Sequence, residues 1–164
     1  MRIRASDLGG GSIVEAALDD VEVFGFGDSA CPMAVNYCNA TANSSGVPVT
    51  MQFSGSQDAD DNNVLLTVND APAGQAGLFY YGDAQANAPL GNGVRCVGGS
   101  FFRLAPGTID PCGSFSQVLD LGSPTAPAGQ ISNGQTWNFS FWFRDSLGSG
   151  FNFSDGVSVQ FCGQ

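Results

Sequence analysis

The strongest pattern in the chain lies at residues 134–144, Gly-Gln-Thr-Trp-Asn-Phe-Ser-Phe-Trp-Phe-Arg. Trp137, Phe139, Phe141 and Phe143 fall on one side; Thr136, Asn138, Ser140, Trp142 and Arg144 fall on the other. Period-two alternation with aromatic enrichment predicts a half-buried strand. Each ring can bury roughly 150–250 Å², so four on one face predict the central strand of a sheet.

Shorter versions of the pattern recur. Val49, Met51 and Phe53 alternate, and residues 64–68 form an apolar run after the polar turn 55–63. Residues 78–81 follow a Pro/Gly turn, and Gly91-Asn92-Gly93 is a hairpin signal before residues 94–97. Further strands are expected at 101–104, after Gly98-Gly99, at 115–121 and at 151–153. Val157, Val159 and Phe161 alternate in a last one. About eight short strands at regular spacing predict an all-β fold, an antiparallel β-sandwich or jelly-roll-like architecture. Residues 12–24 read two ways. Ser12 and Glu15 have capping-box spacing, but Asp20, Val21, Glu22 and Val23 alternate as in a strand, the favoured reading. The expected organisation is an N-terminal strand appendage over 1–24, a linker over 25–45 and a sandwich over 46–164.

Charge narrows the function classes. The chain has no Lys and no His, and five Arg against 15 acids give a net charge of −10. That sum argues against nucleic acid and against anionic membrane surfaces, and no apolar run reaches spanning length. Without His no Ser–His pair can form, and with no His and no C-x-x-C pair a zinc site is not expected. No catalytic constellation emerges, and the expectation is a non-enzyme. The five cysteines, Cys31, Cys38, Cys96, Cys112 and Cys162, read as disulfides in an oxidising, extracellular or cell-surface setting. Met1-Arg-Ile-Arg lacks the apolar core of a signal peptide, so a fragment of a larger exported protein is expected. Cys96 and Cys112 flank residues 101–104 and are expected to bond to each other.

Candidate sites are few. Asp58, Asp60 and Asp61 offer hard oxygens suited to calcium, but their spacing matches no EF-hand and Asp/Asn clusters are ordinary turn material. Glu15 and Asp19 form a second calcium candidate. Trp142, opposite the Phe row, is either a stacking platform for a sugar or part of a second core, and burial is the favoured reading. Arg144, Asp145 and Asp155 look like a structural ion-pair corner.

Several stretches carry a resemblance. They are Tyr37-Cys38 with Asn43-Ser44-Ser45-Gly46, Gly77-Leu78-Phe79-Tyr80-Tyr81-Gly82, Gly93-Val94-Arg95-Cys96-Val97-Gly98-Gly99 with Arg103, and Trp142-Phe143-Arg144-Asp145 with 150–156. Together they resemble a C-terminal module, without assigned activity, of large secreted proteins of environmental bacteria. Many relatives carry Gln at Ser140 and a second Cys at Val47, so Cys38 here needs another partner. The resemblance starts the module at Tyr37-Cys38, which implies a bond from Cys162 to Cys38 in preference to Cys31. Residues 4–21 resemble the closing strands of an upstream jelly roll, in which the Glu15 and Asp19 positions lie near calcium.

The expected role is therefore a non-catalytic, extracellular attachment module that binds a surface glycan or a protein partner. The alternative is a filament subunit whose N-terminal strands complete a neighbouring copy's sheet.

Overall fold

The computed structural model describes residues 31–163. They form nine strands: β1 (Val35–Tyr37), β2 (Thr50–Ser54), β3 (Val64–Asn69), β4 (Ala76–Leu90), β5 (Gly93–Arg103), β6 (Gly107–Thr108), β7 (Phe115–Leu119), β8 (Thr136–Arg144) and β9 (Phe151–Gln160). A six-stranded antiparallel sheet runs β1-β9-β8-β4-β5, with β6 on the start of β4; a three-stranded sheet runs β2-β3-β7. The two pack face to face as a β-sandwich, the all-β class expected from the strand pattern. The appendage 1–24, with its strand-donation reading and the Glu15 and Asp19 site, lies outside the described residues.

Strand β8 is central to the larger sheet, between β9 and β4. Phe139, Phe141 and Phe143 are fully buried and Trp137 nearly so. Val64, Leu66 and Val68 of β3 meet them in one core with Met51, Phe79 and Phe161. Ring contacts knit the layers: Phe79 lies 4.8 Å from Phe141, and Phe115 of the opposite sheet lies 5.5 Å from Phe141. The fit leaves no room at Gly77, where a Cβ would run into the Phe141 ring.

Three corrections follow. Strands expected as separate pieces are continuous: 94–97 and 101–104 are one strand, β5, and 151–153 and 157–161 join as β9 and its end. Gly98-Gly99 is not a turn but a bulge, with Gly99 at φ +64° and the register to β4 shifting between Gly82 and Ala84. The sandwich also begins before residue 46, because β1, inside the expected linker, pairs with β9 at Val35↔Ser158. The third correction concerns the cysteines. Cys38 bonds Cys96, Cys31 bonds Cys162, and Cys112 is an exposed free thiol. Continuous strands explain why Cys96 and Cys112 do not meet. Cys96 sits beside the bulge between Gln85 and Ala88 of β4, whereas β6, just before Cys112, pairs at Ala76. About ten residues of strand, roughly 33 Å, separate those points, and a disulfide needs Cα atoms within about 7 Å.

Peptide mapping without reduction should return a Cys38–Cys96 species and an alkylatable Cys112. Replacing Phe141 by Ala should cost about 3–5 kcal/mol of unfolding free energy in a urea titration; near-wild-type stability would contradict a central β8 with its Phe row in the core.

Candidate functional site: an aromatic groove

The outer face of the larger sheet carries the site, and a bulge creates it. Ser140 pairs with Gly156 but Trp142 pairs with Phe153, so Ser154 and Asp155 together oppose Phe141. The Phe141 N–H donates to Ser154 Oγ at 2.9 Å, and Ser154 Oγ donates to the Asp155 carbonyl at 2.7 Å. The extra residue changes which face the strand presents. Val157, Val159 and Phe161 belong to the inter-sheet core, whereas Phe153, with Phe151 against it, belongs to a second cluster with Tyr80, Val97 and Trp142.

Register brings the remaining walls together. Leu78 stands opposite Trp142, and Tyr80 opposite Arg103. Tyr80 meets Phe153 and Phe101 edge-on, each at 6.2 Å, and Trp142 lies 6.2 Å from Phe151. The result is an open groove of about 420 Å³ with Tyr80, Trp142, Phe101 and Phe153 among its walls. Arg95 and Arg103 also line it, and no carboxylate of the described residues does. The Arg103 guanidinium lies over the Phe101 ring at 5.6 Å, and that of Arg144 over Trp142 at 5.5 Å. Arg95 Nε and Tyr80 Oη are shut off from solvent with no hydrogen-bond partner among the described residues. Burial pushes the Tyr80 phenol up to about 12, against the smaller opposing pull of the Ser140 hydroxyl and Arg95. It is a neutral O–H donor at ordinary pH.

Trp142 thus sits in both settings considered for it, half-buried in a second apolar cluster and lining an open groove. Its partners Tyr80, Phe101, Phe151, Phe153, Arg95 and Arg103 were missed as a group. A usable signal was present, since Arg103 and Arg144 each end an aromatic run, Phe101-Phe102-Arg103 and Phe141-Trp142-Phe143-Arg144.

The ion-pair corner does not form among the described residues. Arg144 is exposed over Trp142, while Asp145 is buried and accepts from the Ser44 N–H at 3.1 Å. Alternation along the strand sends the two side chains to opposite faces. Asp155 instead joins the sheets: it accepts from the Met51 N–H of β2 at 2.7 Å and from Asn36 Nδ2 of β1 at 2.9 Å. The Asp58 cluster is a local cap. Asp58 accepts from the Asp60 N–H at 3.0 Å, ahead of the 3₁₀ turn Ala59–Asp61, and from Asn133 Nδ2 at 2.8 Å. Among the described residues no group of three Cys, Asp or Glu side chains is placed to hold a metal.

Comparison with known proteins finds no matching family model, no matching curated protein and no matching solved structure. The class is an antiparallel β-sandwich with two disulfides among the described residues, which fit a non-reducing environment. No helix among the described residues is long and apolar enough to cross a membrane.

Asp155 yields a test with a definite sign. Desolvation raises its pKa above the ordinary 3.8, against the hydrogen bonds from Asn36 and Met51. A raised carboxyl pKa means the folded state holds the proton more tightly, so its contribution is present below the unfolded value and is lost as pH rises through the folded one. Asp155→Asn, which does not titrate, should therefore gain stability relative to wild type as pH rises from below the ordinary 3.8 through the raised folded-state value. Paired urea midpoints from acid to neutral pH measure it, and a constant gap would contradict the shift.

Proposed function

We propose that the chain is a non-catalytic binding module of a larger secreted protein, of the C-terminal kind its sequence resembles, and that its outer groove binds a glycan. The observation that carries this reading is the aromatic-lined groove on the outer sheet face, where Phe101 is exposed and Trp142 and Phe151 are half-buried. A sugar ring has an apolar C–H face and a polar rim, which suits flat aromatic walls flanked by a few donors. The groove volume lies within the roughly 300–1,000 Å³ range of small-ligand sites, and its aromatic walls with few polar groups match their usual lining. Rings held by strand register need little reordering on binding. The disulfides support an extracellular or cell-surface location, where glycans are the abundant partners.

Affinity electrophoresis against soluble polysaccharides tests the reading. Wild type should be retarded by at least one of them, and Trp142→Ala should weaken that interaction at least tenfold, about 1.4 kcal/mol. Binding should also quench or shift tryptophan fluorescence, and Trp142→Phe should remove most of that change because Trp137 is in the core. Indifference to every polysaccharide in the panel would defeat the proposal, and concentration-dependent growth into large particles would favour self-assembly instead.

A further inference from the structure

We propose that the groove recognises a carboxylate, so that its ligand is a glycan bearing isolated uronate units on an otherwise neutral chain. This rests on the glycan reading above and adds the sign and density of the ligand's charge. Arg95, Arg103 and Arg144 are the whole positive charge of the described residues, since the chain has no Lys or His. All three converge on this one face: two line the groove, and the third lies over its Trp142 wall.

None of the three guanidinium groups has a carboxylate partner among the described residues. Arg103 and Arg144 are held by ring faces instead. A guanidinium lying over a ring face keeps N–H groups free for a ligand. A planar carboxylate meets such groups with two parallel hydrogen bonds, a strong and directional pairing. Arg95 lines the groove as well, and its buried Nε–H finds no acceptor among the described residues. The neighbouring Tyr80 phenol stays protonated and presents no negative charge to an approaching anion.

The rest of the chain limits how much charge the ligand can carry. The net charge of the chain is −10, and none of the described aspartates lines the groove. A single carboxylate inside the groove responds mainly to cations within a Debye length of about 8–10 Å. A dense polyanion would be repelled by the net negative charge of the chain as a whole. Sparse uronates on a neutral backbone avoid that repulsion and keep ring faces for stacking. The same argument disfavours a nucleic acid strand, which carries a phosphate at every unit.

The test uses the full chain with four probes: glucuronoxylan, the same polymer after carboxyl reduction, polygalacturonate, and an oligothymidylate. Wild type should bind glucuronoxylan, and carboxyl reduction should weaken binding at least tenfold. Raising salt from about 0.05 to about 0.5 M should weaken it as well. The exposed pair Arg103→Gln/Arg144→Gln should lose at least tenfold on glucuronoxylan yet bind the reduced polymer as wild type does, a pattern that a folding defect would not produce. Equal wild-type binding to native and reduced polymer, with Trp142→Ala still defective, would overturn the charge inference and leave the glycan reading standing. Binding to neither polymer would overturn both. Tighter binding of polygalacturonate or the oligothymidylate than of glucuronoxylan would overturn the claim of sparse charge.

Discussion

The constraint on which this structure depends is the packing of one aromatic row against a narrow second sheet. Phe139, Phe141 and Phe143 of β8 are fully buried, and the aliphatic face of β3 closes over them. Full ring burial on a central strand is worth several kcal/mol per side chain, more than any polar contact here can contribute. It sets the register of β4 and β9 on either side. A one-residue slip would send the whole row outward.

That register determines what appears on the other face. With the Phe row pointing inward, Trp142 and Arg144 must point outward, as must Leu78 and Tyr80 of β4. The bulge at Ser154-Asp155 adds Phe151 and Phe153 from β9. Asp155, at the bulge itself, is tied to both sheets through Met51 and Asn36. The contacts that hold the sandwich closed and the geometry that opens the groove are therefore the same set. The Cys38–Cys96 bond adds a covalent tie from the segment after β1 to β5, whose Arg95 and Arg103 reach the groove. Crosslinking residues 58 positions apart contributes about 4 kcal/mol in the chain-entropy account.

Charge shows how a sum can mislead. A net −10 reads as a surface that rejects anions, yet the described cations all sit on one face, on or beside one apolar depression. Low-dielectric walls concentrate the field of charges placed in a cleft. A chain acidic overall can thus present a locally cationic site, and the acidic remainder then selects against ligands with too much charge.

Period-two alternation is a local property of the pleat, so the sequence by itself determined the all-β class, the inward row at Trp137, Phe139, Phe141 and Phe143, and the hairpin at Gly91-Asn92. It also marked Trp142 as lying off the main core. Local pattern cannot tell a break from a bulge, because a bulge exists only relative to a partner strand. Gly98-Gly99 and Ser154-Asp155-Gly156 therefore read as interruptions, when each lies within a continuous strand. A regular alternation would place Phe153 and Val157 on the same face; the bulge between them puts Phe153 in the groove and Val157 in the core. Disulfide pairing likewise depends on where strands end in space, and the long reach of β4 and β5 decided for Cys38–Cys96 over Cys96–Cys112. Three arginines spread over fifty residues of chain become one site only after β5 and β8 are laid on either side of β4, and that adjacency is a property of the folded sheet alone.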